Sequence, residues 1–307
     1  MTLEEWIKAS LGLNDGVSSA IEVNFHIAAM SVEALNNVSP RLDEESLTGA
    51  MIGAFVAAQP LSAAAFPGVD KEALQWASYG KNDRGKFGER NSGADFALVV
   101  MLPGGRSRLA IFQAKSDQSK SAKKNTLPVG QIKDDGLAML PGSKELVRVR
   151  RNQVKNLTDS AIEVASGGGS KADLKDLYWV HYFCQFQDGV VAVPISCLVD
   201  EVRLSISKVR VVDVDVSSKV RVSLHELLRD ALVDEPKHWL KINRNVGDSV
   251  PRKVDLTSLL ELIPIVVGGS EGDRASLNLG DVAPVLLTES LKVEEEPVPP
   301  TGFKFGR

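Results

Sequence analysis

The chain has 307 residues, 43% of them hydrophobic and 25% charged, a balance that builds a packed core and excludes disordered, collagen-like and coiled-coil classes. With 36 Lys and Arg against 40 acids its net charge is −4, so the total implies no bulk attraction to nucleic acid or to a membrane surface. Cys184, Cys197 and four scattered histidines give neither a disulfide framework nor paired zinc spacing, and no apolar stretch reaches about eighteen residues, so a reducing, cytoplasmic setting is expected.

In chain order, Thr2 and Glu5 form a capping-box pair that predicts a short helix through Trp6 and Ile7. Over residues 20–36, Ile21, Val23, Phe25 and Ile27 alternate as a strand would, yet the residues from Ala28 to Leu35 read as helix, which is preferred for most of the segment. Asp43, Glu44, Glu45 and Ser46 then precede Leu47, Met51, Ile52, Phe55 and Val56, predicting a helix over 44–58 with acids in its first turn. Gly49 and Gly53 each cost that helix about 1 kcal/mol relative to Ala. Their presence points to close approach of another backbone, with the helix flat on a sheet.

Residues 81–115 carry the most information. A charged loop leads to Ser92-Gly93-Ala94-Asp95 and an apolar run to Leu102; Pro103-Gly104-Gly105 follows, then a second apolar run ending in Gln113-Ala114-Lys115. This is the pattern of a β-hairpin. A three-residue loop makes paired positions sum to an even number, which puts Asp95, Gln113 and Lys115 on one face; an odd sum would separate them. A buried strand has no structural need of a terminal lysine. An acid and an amide oxygen suit Mg²⁺, and an adjacent ammonium can orient a water or balance charge on phosphorus.

Charge is distributed unevenly around this hairpin. Residues 81–155 hold sixteen Lys and Arg against seven acids, a net +9, leaving −13 for the rest. On charge alone, a local polyanion site and a merely solvated surface explain this equally well. Lys120, Lys123 and Lys124, and further on Arg148, Arg150, Arg151 and Lys155, stand where phosphates would need neutralising. No Gly-Lys-Ser/Thr phosphate loop is present, so ATP use is not encoded.

Gly-Ala-Asp95, two hydrophobic strands around a turn and Gln113-Ala-Lys115 together resemble the core motif of the PD-(D/E)xK nuclease superfamily. More narrowly, they resemble its branch with Gln in place of the usual acid, found among bacterial restriction and anti-phage nucleases. Ala-Asp stands here where the family usually has Pro-Asp. The resemblance covers residues 40–200 and implies an α/β fold: a restriction-endonuclease-like α-β-β-β-α-β core with a mixed central sheet flanked by helices, followed by a C-terminal α+β extension. It implies a helix bearing a metal-binding Glu, headed here by Glu44 or Glu45, a second helix for which Gln131 to Leu140 is the candidate, and a later strand at Leu177 to Phe183.

Because Gln113 removes one negative charge, a supporting glutamate is needed, and Glu44, Glu45 and Glu89 are the candidates. Glu44 is preferred because it shares a helical stripe with Leu47, Met51 and Phe55, whereas Glu45 lies with Gly49, Ile52, Gly53 and Val56. The resemblance then implies a Mg²⁺- or Mn²⁺-dependent endonuclease cutting DNA. Asp95, Glu44, Gln113 and the Ala114 carbonyl would be its metal ligands, Lys115 would position the nucleophile, and Gln131 would be a candidate DNA contact. DNA, a companion helicase, ATPase or sensor subunit, and a second copy of the chain are the partners it allows. The alternative is a non-catalytic nucleic-acid-binding or assembly subunit that keeps the fold.

His181, Trp179, Tyr182 and Phe183 read as core residues of the later strand. Ser166 to Ser170 is a glycine-rich loop, Val209 to Val216 reads as strand, Leu224–Leu232 as helix, and Leu259–Val267 is an apolar run. The chain thus divides into a helical segment 1–40, a nuclease-like core 41–202, an extension 203–287 that would contact DNA, a partner or a second copy, and an acidic, proline-rich tail 288–307.

Overall fold

The computed structural model describes residues 5, 9, 19–38, 42–65, 74–79, 93–102, 106–116, 125–139, 146–166, 172–186, 188–243, 265–270 and 285–286. The Thr2 cap, Glu89, Lys120, Lys123, Lys124 and the tail lie outside them. Five helices are used below: α1 (Ala20–Val38), α2 (Glu44–Ala64), α3 (Gln153–Ser166), α4 (Val199–Lys208) and α5 (Leu224–Asp230). The strands begin with β1 (Leu74–Tyr79), β2 (Phe96–Leu102), β3 (Arg106–Ser116), β4 (Thr126–Val129), β5 (Ile132–Met139) and β6 (Leu146–Asn152). They continue with β7 (Val180–Phe186), β8 (Gly189–Pro194), β9 (Val212–Asp215), β10 (Val222–Ser223), β11 (Leu240–Asn243), β12 (Ile265–Ser270) and β13 (Val285–Leu286).

The fold is mixed α/β. Its central sheet runs β10-β8-β7-β3-β2-β12-β1-β13, with β11 also paired to β3. β7 is parallel to β3 and β12 parallel to β2, whereas the β2–β3, β1–β12 and β7–β8 pairs are antiparallel. Both faces are covered, which is why β2 is apolar at every position rather than alternating. Ala97, Val99, Leu109 and Ile111 pack under α3 and α4, and Phe96, Leu98, Ala110 and Phe112 under α1, α2 and α5.

The segment 20–36 is helical throughout. Ile21 and Phe25 pack into the large cluster against the sheet, while Val23 and Ile27 pack with Ala58 and Ala65 of the α2 region, so two buried faces of one helix gave the strand-like alternation. α2 is long and apolar enough to cross a membrane by length and composition, and it packs Leu47, Met51 and Phe55 into the core. Gly49 and Gly53 do not mark a close approach: they are exposed and a Cβ at either meets nothing within 4 Å.

Residues 131–139 are not a helix. Ile132–Met139 form β5, paired antiparallel with β6 in a separate two-stranded sheet, and the register shifts between Asp134 and Leu137, on either side of Gly136. Two Asp and a Gly within ten residues make a poor helix, and the β6 strand supplies the missing hydrogen-bond partners. The second helix of the order is α3, capped by Asn152, whose Oδ1 accepts from the Val154 and Lys155 amides at 3.1 and 3.3 Å. The later strand begins at Val180 rather than Leu177, and α4 was not foreseen; Val209 ends α4 in the left-handed region (φ 48°) before β9. Residues 203–287 contribute β10, β11 and β12 directly to the central sheet, with β12 between β1 and β2.

Candidate active site

β2 and β3 pair from Phe96 opposite Phe112 to Leu102 opposite Arg106, so paired numbers sum to 208. The even register puts Asp95, Gln113 and Lys115 on one face at one end of the hairpin. The Asp95 amide donates to the Phe112 carbonyl at 2.9 Å, and Asp95 Oδ2 accepts from the Ala114 amide at 2.5 Å. The carboxylate is thereby held at the strand end while it stays half-buried.

Gln113 is 1% exposed. Its Nε2 donates to the Gly93 carbonyl at 2.5 Å, whereas its Oε1 is buried without a hydrogen-bond partner. Gly93 has φ +68°, and a Cβ there would lie 2.3 Å from the Gln153 carbonyl oxygen and 3.0 Å from the Leu157 amide. Only glycine lets the start of α3 pack on this turn, and α3 in turn fixes what Gln113 can reach.

Lys115 is 4% exposed and donates from Nζ to Glu44 Oε1 at 2.8 Å, with Glu44 37% exposed. Glu44 is in the first turn of α2, where the helix dipole favours a carboxylate. The cap is Asp43, whose side chain accepts from the Ser46 amide at 2.7 Å and hydroxyl at 3.0 Å; the amide bond, more than the hydroxyl, holds the Asp43 carboxyl below its ordinary range. The approach to α2 is also tied down. The Leu42 amide donates to Gln185 Oε1 at 2.8 Å, and Gln185 Nε2 donates to Asn36 Oδ1 at 2.8 Å. Glu44 is thus the glutamate brought to Lys115, while Glu45 is exposed.

A cavity of about 520 Å³ opens here, lined by Asp43, Glu44, Glu45 and Ser46 on the α2 side and by Ser116, Gln131 and Lys133 from β3 and β5, with Asp95 between. Such a volume suits a small polar group or one nucleotide unit. Beneath it, Cys184 stands beside Lys115 in the β3–β7 ladder, and burial pushes its thiol far up despite the lysine, leaving an inert neutral sulfur. Burial likewise raises Tyr182, the ladder neighbour of Gln113. His181 faces the other side of the sheet. It is fully buried against Phe112, with Nε2 2.9 Å from the His238 carbonyl, and burial pushes its pKa down to about 3, so it is a neutral core histidine.

The cavity brings together Glu44, Glu45, Asp95 and Gln131 and adds Lys133, which sequence reasoning missed; Lys115 and Gln113 do not line it, Lys115 being tied to it through Glu44 and Gln113 buried opposite Asp95 in the hairpin. The missed signal was period two: Val147-Arg148-Val149-Arg150 alternates as a strand, and a strand there implies a partner at 131–139. Lys155 lies away on α3, exposed and paired with Asp159. Among the described residues no three His, Cys, Asp or Glu side chains gather as a metal group. The cavity lining offers carboxylate oxygens from Asp43, Glu44, Glu45 and Asp95, hard donors of the kind Mg²⁺ and Mn²⁺ take, while Gln113 Oε1 is buried and does not line it.

No family model, curated protein or solved structure matches the chain. The class defined by fold and site is therefore a mixed α/β protein with a buried lysine, two carboxylates and an amide converging at one sheet end.

Proposed function

We propose that the protein is a metal-dependent DNA endonuclease, the cytoplasmic nuclease effector of a bacterial restriction or anti-phage system. The observation that carries the reading is Lys115: an ammonium 4% exposed at the end of an apolar strand, held by Glu44 and sharing a face with Asp95 and Gln113. The order α2-β1-β2-β3-α3-β7, interrupted between β3 and α3 by β4, β5 and β6, with β7 parallel to β3, supports a restriction-endonuclease-like core. This chain departs from a simple meander in placing β12 between β1 and β2.

Asp95, Glu44, Gln113 Oε1 and the Ala114 carbonyl would hold Mg²⁺ or Mn²⁺, which supplies Lewis-acid stabilisation of charge on the phosphoryl oxygens. Lys115 orients the attacking water and offsets the charge that grows on phosphorus. Its burial strengthens that interaction, because the surrounding low dielectric screens it little. Asp95, fixed by the Ala114 amide, keeps a carboxylate oxygen at the strand end without reorganisation.

Calorimetric titration with Mn²⁺ tests the metal site. Uptake by the wild type and its loss in Asp95→Ala are expected; no uptake by either refutes the enzyme reading and favours the non-catalytic subunit, in which Gln113 replaces the charged ligand a working site would need.

A further inference from the structure

The hairpin of β5 and β6 is the one two-stranded sheet, among the described residues, whose root borders the cavity. It forms no ladder with the central sheet. Its root is held rigidly. Gly130 has φ +76°, and a Cβ there would fall 1.8 Å from Ser205 Oγ of α4. The Gln153 amide donates to the Gln131 carbonyl at 2.9 Å, and Asn152 Nδ2 donates to the Ser205 carbonyl at 3.0 Å and hydroxyl at 2.9 Å. Whatever the ribbon carries is therefore placed relative to Asp95 and Glu44 at little entropic cost on binding.

What it carries is positive. β6 holds Arg148, Arg150 and Arg151 and no acid, and β5 holds Lys133 against Asp134 and Asp135, a net charge of +2 for the ribbon. Lys133 stands directly opposite Arg151 in the ladder and also lines the cavity, while the exposed Arg150 stands opposite Asp134. A seven-residue strand extends about 23 Å, against one phosphate per about 3.4 Å of each DNA strand along the duplex axis. The ribbon thus reaches past a single nucleotide step, and a two-stranded ribbon is narrow enough for a DNA groove. The acid-lined wall of α2 across the cavity repels phosphate, so the backbone is directed to the β5 side.

We infer that the β5–β6 ribbon grips duplex DNA, with Lys133 and Arg151 holding backbone phosphates beside the cavity. The inference rests on the nuclease reading for the position of the scissile bond. It is tested by fluorescence anisotropy of a labelled duplex in EDTA, titrated across salt, for wild type, Lys133→Gln, Arg151→Gln, the double variant, the charge-keeping Lys133→Arg, and Arg221→Gln as a remote control paired with Asp188. Each lost phosphate contact lowers the slope of log affinity against log salt by about 0.9. Raising salt from about 50 to 200 mM then weakens the wild type about twelvefold more than the double variant. Lys133→Arg and Arg221→Gln keep the wild-type slope. An unchanged slope in the double variant overturns the ribbon as the grip while Mn²⁺ uptake and cleavage still judge the nuclease reading. Equal loss in Arg221→Gln, or a wild type that binds no duplex, overturns it too. If the double variant does not fold, the single variants decide, with an expected slope change of about 0.9 each.

Discussion

Replacing Glu44 by Ala leaves Lys115 Nζ, 4% exposed, without the carboxylate oxygen at 2.8 Å. Breaking a fully buried pair costs about 3–5 kcal/mol, and an exposed pair is worth about 0–1 kcal/mol. This pair has one end buried and the other 37% exposed, so Glu44→Ala is expected to cost about 2 kcal/mol. The reverse change is different. Lys115→Met keeps the volume and removes the buried charge, while Glu44 turns to water, so its cost is near zero or slightly favourable. The double variant should match Lys115→Met, giving a coupling energy of about 2 kcal/mol in a double-mutant cycle read by urea unfolding. A coupling below about 0.3 kcal/mol, or equal costs for the two single variants, refutes the contact. The asymmetry matters for function: a lysine whose removal leaves the fold intact or firmer is held there by something other than stability.

Two further outcomes follow from the packing. His181 is held at about 3 in the folded protein, below the ordinary 6.5, so the unfolded chain takes up a proton as pH falls through 6.5 while the folded chain does not. Stability is full above that value and is lost toward acid with a slope approaching about 1.4 kcal/mol per pH unit; His181→Phe should flatten the slope of urea midpoints between about pH 7 and 5, and an unchanged slope would place the proton elsewhere. Burial lowers His225 and His238 in the same direction, so a residual slope remains in the variant. Among the glycines, Gly93→Ala should cost about 2–4 kcal/mol, because a Cβ meets backbone atoms that cannot step aside, whereas Gly49→Ala and Gly53→Ala should each stabilise by about 0.5–1 kcal/mol; thermal unfolding in the opposite order would contradict the packing.

The hairpin and most of the candidate site were legible because strand geometry has period two and the Pro103-Gly104-Gly105 connection has an odd length, which together put Asp95, Gln113 and Lys115 on one face. Glu44 could be separated from Glu45 by the buried stripe of Leu47, Met51 and Phe55 alone. What escaped was non-local. Residues 131–139 are a strand because β6 lies opposite them, and nothing within the segment itself announces that partner. β12 is a short apolar run whose insertion between β1 and β2 depends on chain almost two hundred residues earlier. The close backbone approach ascribed to Gly49 and Gly53 occurs instead at Gly93, where a Cβ would sit 2.3 Å from the Gln153 carbonyl oxygen. Lys133 was missed for the same reason as β5: a cation on a supposed helix has no fixed relation to Asp95.

The central claim is that Lys115, Asp95 and Glu44 cut a phosphodiester bond with a divalent ion. It is tested most directly by nicking and linearisation of supercoiled plasmid with Mg²⁺ or Mn²⁺ at low salt, wild type against Lys115→Ala. Cleavage by the wild type and its loss in a variant that still folds and binds DNA is the expected result; equal cleavage by both, or none by a wild type that binds DNA and takes up Mn²⁺, would contradict it.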